Sequence, residues 1–221
     1  PMAMLNVWRI PLLFFVSGMG VYFAMQQRDW KQLLTERASR ILLPYAFGMF
    51  AIVPVHVLLW QKYYHLEASY MWGPGHLWFL RNIFVYVLVL LPVLYYLKRN
   101  EDGSVVRWIS KTLSHPLGLL MVVVLFVAEA VVVKPVPYEM YAMTWHGFIL
   151  GFLAFFVGFC FVLSGTTFWQ LIQRWRWVLA ILAVSLYGLR NFYFGMSTPG
   201  YAIASESLCW IFTVLAFGSE H

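Results

Sequence analysis

The sequence predicts an all-α fold, a polytopic membrane helix bundle with about seven transmembrane helices, on three observations. Of its 221 residues, 62% are hydrophobic, 19% aromatic and only 11% charged, whereas a soluble domain carries about 25% charged residues. Apolar runs recur along the whole chain, each near the ~20 residues that cross a hydrocarbon core, with no soluble block of useful size between them. The basic residues gather in alternate turns, as in a chain that crosses a bilayer repeatedly. We read one integral membrane domain over residues 1–221.

Hydrophobic runs place spans at 8–26, 41–60, 77–97, 117–133, 146–164, 177–194 and 201–218. The first leads into a turn at 27–40 with Arg28, Lys31, Arg37 and Arg40; the third into a turn at 98–116 with Lys98, Arg99, Arg107 and Lys111; the fifth into a turn at 165–176 with Arg174 and Arg176. The alternate turns carry only Lys62 and Lys134, while Arg9, Arg81 and Arg190 lie at or within spans on that side. This asymmetry puts the three basic turns in the cytoplasm and the first residues outside. The net charge of +6 is therefore a topology signal dispersed over short turns, not a nucleic-acid surface. Trp60, Trp72, Trp108, Trp145, Trp169 and Trp177 mark span ends, as interfacial belts do. Ser17, Gly18, Gly20, Gly151 and Gly158 let helices approach closely. Cys160 and Cys209 sit in apolar runs without a CxxC spacing and read as buried thiols. The chain opens at Pro1 and stops just as a span ends, so it reads as a fragment of a protein with at least one earlier span.

Arg37 and Arg40 stand at i and i+3, on one face of a helix. Two readings stay open. The pair snorkels to lipid headgroups and fixes topology, or its guanidinium forks hold the phosphates of a nucleotide-like molecule. A Gly73-Pro74-Gly75 turn leads into a helix whose first turns carry His76, Trp78 and Arg81. An arginine entering a span costs roughly 2.5–3.5 kcal/mol on insertion scales and faces a partner, a cavity or the interface. His76 and Trp78 read either as groups that orient and stack on a sugar or as an interfacial cluster. His56, Glu129, His146, Arg190 and Glu206 are ionisable residues singled out by depth alone. No P-loop, GxSxG, HExxH or other metal-ligand constellation occurs. A transporter or channel, with Arg37, Arg81, Arg190 and Glu129 along a substrate route, is the alternative to an enzyme; the chain shows no internal repeat of the kind common in transporters.

The run from Trp8 to Gly18, WRIPLLFFVSG, followed by Arg37-Ala-Ser-Arg40-Ile-Leu-Leu-Pro44, resembles the acyltransferase 3 family of integral membrane acyltransferases. His76-Leu-Trp-Phe-Leu80, and Phe155-Phe-Val-Gly-Phe159 followed by Phe168-Trp169, are similar to it as well. Within the family the chain looks most like the glucan biosynthesis protein C branch. The resemblance implies an enzyme of about ten helices in a bacterial inner membrane. Such an enzyme carries an acetyl or succinyl group from cytoplasmic acyl-CoA, with no metal, to a hydroxyl of an extracytoplasmic carbohydrate. Arg37 and Arg40 match the family's R-x-x-R motif and so imply an acyl-CoA site; His76 and Trp78, with Arg81 beside them, imply the acceptor side. The family's essential histidine has no counterpart here and is expected upstream of Pro1. None of the histidines present replaces it, and the fragment by itself is expected to be inactive.

Overall fold

The computed structural model describes residues 2–135, 137–194 and 198–219; Pro1, Glu220 and His221, where a fragment's ends are expected, lie outside them. Ten α-helices run through these residues: α1 Met2–Gln27, α2 Trp30–Arg37, α3 Leu43–Phe47, α4 Val53–Tyr63, α5 Trp78–Arg99, α6 Ser104–Leu113, α7 Pro116–Val133, α8 Trp145–Leu163, α9 Thr166–Leu189 and α10 Gly200–Gly218. Helices α2, α3 and α4 are one continuous rod, Trp30–Tyr63, interrupted by π turns at Ala38–Leu42 and Gly48–Ile52. Each π turn lies just ahead of a proline, Pro44 or Pro54. Proline has no N–H to give the carbonyl four residues back, so the ladder opens there. Phe50, left without that donor by Pro54, accepts instead from the Tyr70 hydroxyl at 2.6 Å.

Among the described residues six helical stretches are long and apolar enough to cross a membrane, matching the first five expected spans and the seventh. The sixth expected span, 177–194, is the later part of α9 and its π turn Arg190–Phe194. The expected turn at 165–176 is largely the start of α9, whose polar residues Gln170, Gln173, Arg174 and Arg176 keep it outside that set. It still runs the length of α10. Gln173 Nε2 donates to the Ser219 carbonyl at 3.0 Å, and beyond the far end of α9 Arg190 meets Glu206 early in α10. The other basic turns are also mostly helical, holding α2 and the amphipathic α6. Hydrogen bonds bring all three basic regions to one end of the bundle: Tyr22 Oη to Glu101 at 3.1 Å, Ser110 Oγ to the Ser164 carbonyl at 3.3 Å, and Ser114 Oγ to Thr167 at 2.7 Å.

The core forms around α8, 72% of whose apolar window is buried, against 17% for the Trp30–Tyr63 rod at the periphery. Helix α1 lies against α8 at a backbone approach that only glycine permits. A Cβ on Gly18 would stand 1.9 Å from the Phe155 carbonyl oxygen, and one on Gly158 2.2 Å from that of Phe15. Phe15, Phe161 and Phe168 stack beside this crossing, with centroids 5.5 and 4.2 Å apart. Small residues thus close the helix contact, as lipid supplies no hydrophobic drive to do so. Trp60, Trp72, Trp108, Trp145 and Trp177 are exposed, consistent with an interfacial belt. Cys160 and Cys209 are buried and free.

Candidate active site

The basic end holds the arginine pair. Arg37 Nη2 turns back to the Gly20 carbonyl of α1 at 3.1 Å, whereas Arg40 is exposed and lies 4.0 Å from Glu36. The two thus take different partners, because the π turn beginning at Ala38 breaks the α-helical register between them. Beside them Arg28, Lys98 and Arg99, with Gln27, Gln32 and Tyr95, line a cleft of 420 Å³. Arg28 pairs with Glu36 at 3.0 Å. Lys98 binds Glu101 and lies 4.4 Å from the Tyr22 ring, and its hydrogen bond holds the Glu101 carboxyl below its ordinary range.

At the opposite end the sequence candidates separate. Gly75, at φ +47°, starts the 3-10 turn Gly75–Leu77 that feeds α5. His76 is exposed, and Trp78 is buried against Phe14, with centroids 6.1 Å apart, so its ring packs as core. Arg81 is exposed, reaches Met143 Sδ at 3.4 Å and lines a cleft of 280 Å³ with Asn82, Thr144, Trp145 and Phe148. His56 is exposed on the peripheral rod.

The residues chosen only for depth pair up at this same end. His146 Nδ1 lies 2.8 Å from Glu129 Oε1, with both side chains almost fully buried. Thr144 caps α8 by accepting from the Gly147 N–H, which puts His146 in the first turn with its ring clustered against Tyr138 and Tyr141, centroids 4.7 and 5.4 Å away. His146 Nε2 and Glu129 Oε2 are buried without a hydrogen-bond partner. An orphaned polar atom of this kind costs about 1–3 kcal/mol. A second pair lies beside the first. Arg190 Nε stands 2.9 Å from Oε2 of the fully buried Glu206, close enough to pair but not aligned as a hydrogen bond, and Arg190 Nη1 is 3.8 Å from Glu139. Single residues in apolar runs gave no sign of these pairings. The available signal was shared depth: Glu129 closes one span where His146 opens the next, and Arg190 and Glu206 flank the following turn.

The segment between α7 and α8 is bolted down through a proline. Pro11 inside α1 leaves the Val7 carbonyl without its helical donor. Tyr141 Oη and Ser207 Oγ donate to it instead, at 2.9 and 3.0 Å. Burial, reinforced by nearby carboxylates, pushes the Tyr141 hydroxyl well above its ordinary pKa, so it remains a donor. Tyr141→Phe is expected to cost about 1 kcal/mol, and adding Ser207→Ala a further 1–3 kcal/mol, as the buried carbonyl then has no donor. Adding Pro11→Ala to the double variant restores an N–H and recovers much of the loss. Thermal unfolding in detergent checks this; no recovery would show that the Val7 carbonyl is not what the two hydroxyls serve.

A family model described as an acyltransferase domain, that of acyltransferase 3, matches residues 2–219. No curated protein and no solved structure gives a match.

Proposed function

The chain belongs to the acyltransferase 3 family of membrane acyltransferases, and from that premise we propose that it moves an acetyl or succinyl group from cytoplasmic acyl-CoA to a hydroxyl of an extracytoplasmic carbohydrate, a periplasmic glucan in the branch it resembles. One observation supports this most: the two ends of the bundle are chemically sorted. One end gathers the basic regions and the 420 Å³ cleft lined by Arg28, Lys98 and Arg99, suited to the phosphates of a CoA donor. The other gathers the Arg81 cleft, a histidine and three carboxylates, suited to hydroxyl chemistry. In this reading the basic end faces the cytoplasm, by the charge asymmetry of the turns. Arg37 spends one N–H on Gly20 and retains others for phosphate, exposed Arg40 can turn from Glu36 to the same ligand, and His76 and Arg81 shape the acceptor side, with Trp78 packed behind them against Phe14.

The test uses the full-length protein in nanodiscs, radiolabelled acetyl-CoA or succinyl-CoA and a glucan oligosaccharide. The wild type labels the oligosaccharide. Arg37→Ala with Arg40→Ala weakens acyl-CoA binding by about 10-fold or more, since a hydrogen bond to a charged group is worth about 1.5–3 kcal/mol, and abolishes transfer. Unchanged labelling by that double variant would remove the pair from the donor site.

A further inference from the structure

We propose that the apolar groove between α6, α7 and α8 holds one acyl chain of a phospholipid whose anionic headgroup rests on Arg107 and Lys111. The site is separate from the donor and acceptor clefts and does not depend on the acyl-transfer reading.

The groove follows from how α6 is tied down. Ser110 Oγ donates to the Ser164 carbonyl at the end of α8, and Ser114 Oγ to Thr167 at the start of α9. Helix α7 then begins so close behind α6 that a Cβ on Gly118 would stand 1.9 Å from the Thr112 carbonyl oxygen. Held at these points, α6 leaves a groove of 240 Å³ between Trp108 and Thr112 of its own, Met121 and Leu125 of α7, and Phe156 and Cys160 of α8. Its accessible wall is apolar throughout, so nothing inside it orients a polar molecule. Trp108, Met121 and Leu125 are exposed, so the groove opens sideways, toward lipid. Met121 and Leu125 lie five and nine residues in from Pro116, about 8 and 14 Å along α7, which runs the groove inward from the level of α6.

Charge selects the occupant. Arg107 and Lys111 stand at i and i+4 on amphipathic α6, in the row beside Trp108 and Thr112. Both are exposed, and neither meets a carboxylate among the described residues, whereas Arg28 and Lys98 at the same end each hold one. Two unpaired cations beside an apolar groove match a phosphate headgroup above its chain, and a basic amphipathic helix is the element that lies at that level of a bilayer. A helix of another protein, about 10–12 Å across with its side chains, needs a broad face rather than a slot between adjoining helices. The tail of a CoA donor is on the wrong side of α8. Phe159, which packs on Tyr22 beside Lys98, points toward the basic cleft, while Phe156 and Cys160 line the groove.

The test uses the full-length protein in nanodiscs of phosphatidylglycerol and phosphatidylcholine in equal parts. One or the other lipid carries a diazirine on its acyl chain, and mass spectrometry maps the residues labelled on irradiation. The phosphatidylglycerol probe is expected to label Leu125, Phe156 or Cys160 about 5-fold or more above the phosphatidylcholine probe, the scale of a single basic residue near an anionic surface. Labelling there also exceeds that at Phe47 and Leu59, exposed apolar residues of the peripheral rod that line no such groove. Arg107→Gln with Lys111→Gln, both at exposed positions, brings the two probes level. Leu125→Trp fills the groove and lowers labelling of Phe156 and Cys160 to that of the rod. Equal labelling by the two probes in the wild type, or groove labelling no higher than the rod's, overturns the proposal, the groove then holding ordinary boundary lipid; this comparison needs no variant to fold. A groove that neither probe reaches is covered by protein instead and overturns it equally.

Discussion

Arg190→Met is expected to destabilise the bundle by about 3–5 kcal/mol, the cost of leaving one member of a buried ion pair unpaired. Glu206 is fully buried and Arg190 is its cationic partner among the described residues. The reverse change, Glu206→Leu, is expected to cost less. Arg190 still has Glu139 at 3.8 Å, and Glu139 is partly exposed. Changing both residues together, to Met and Leu, recovers most of the loss, since a well-packed apolar pair replaces a buried ionic one at little cost. Reversible unfolding in mixed micelles measures all three. A single Arg190→Met variant within about 1 kcal/mol of wild type would mean that Glu206 finds another partner or is held neutral.

Gly158→Ala and Gly18→Ala are each expected to cost about 1–3 kcal/mol, the range for overpacking a filled core. The new methyl groups would meet backbone carbonyl oxygens at 2.2 and 1.9 Å, and a backbone oxygen does not rotate away as a side-chain end does. Helix α1 has to lift off α8, loosening the Phe15, Phe161 and Phe168 stack. Because one displacement relieves both clashes, the double variant should cost less than the sum of the singles. Gly188→Ala is the control: nothing lies within 4 Å of its would-be Cβ, and in a helix the exchange is neutral or stabilising. Equal effects at all three positions would mean that helix propensity, not the close α1–α8 crossing, governs these glycines.

The two buried pairs and the helix crossing depend on one another. Lifting α1 also moves the Val7 carbonyl, to which both Tyr141 and Ser207 are bonded. Tyr141 in turn stacks on His146. A packing change at Gly158 should therefore also disturb the buried His146–Glu129 pair, although it lies far along α8 from His146.

What the sequence determined by itself was everything that depends on local composition. Each apolar run approaches the length that crosses a bilayer, so the all-helical class and six of the seven expected spans follow from residues close in sequence. Basic residues in alternate turns were enough to place the three basic regions at one end of the bundle, and tryptophans at span ends marked the surface at five of six positions, Trp169 instead packing on buried Phe168. The small residues at 18 and 158 marked a close approach without naming its partner. Only the tertiary structure decided which side chains meet. Arg37 and Arg40 diverge because a proline-associated π turn changes the register that their spacing assumed. Trp78 is buried because Phe14 lies behind it. Glu129 meets His146, and Arg190 meets Glu206, because particular helices are neighbours at one depth. Hydropathy fixes how far along its helix a residue sits, but a partner also requires the rotation of that helix and the identity of its neighbour. Those are set by contacts such as Gly18 on Phe155 and Gly158 on Phe15, between residues more than a hundred positions apart.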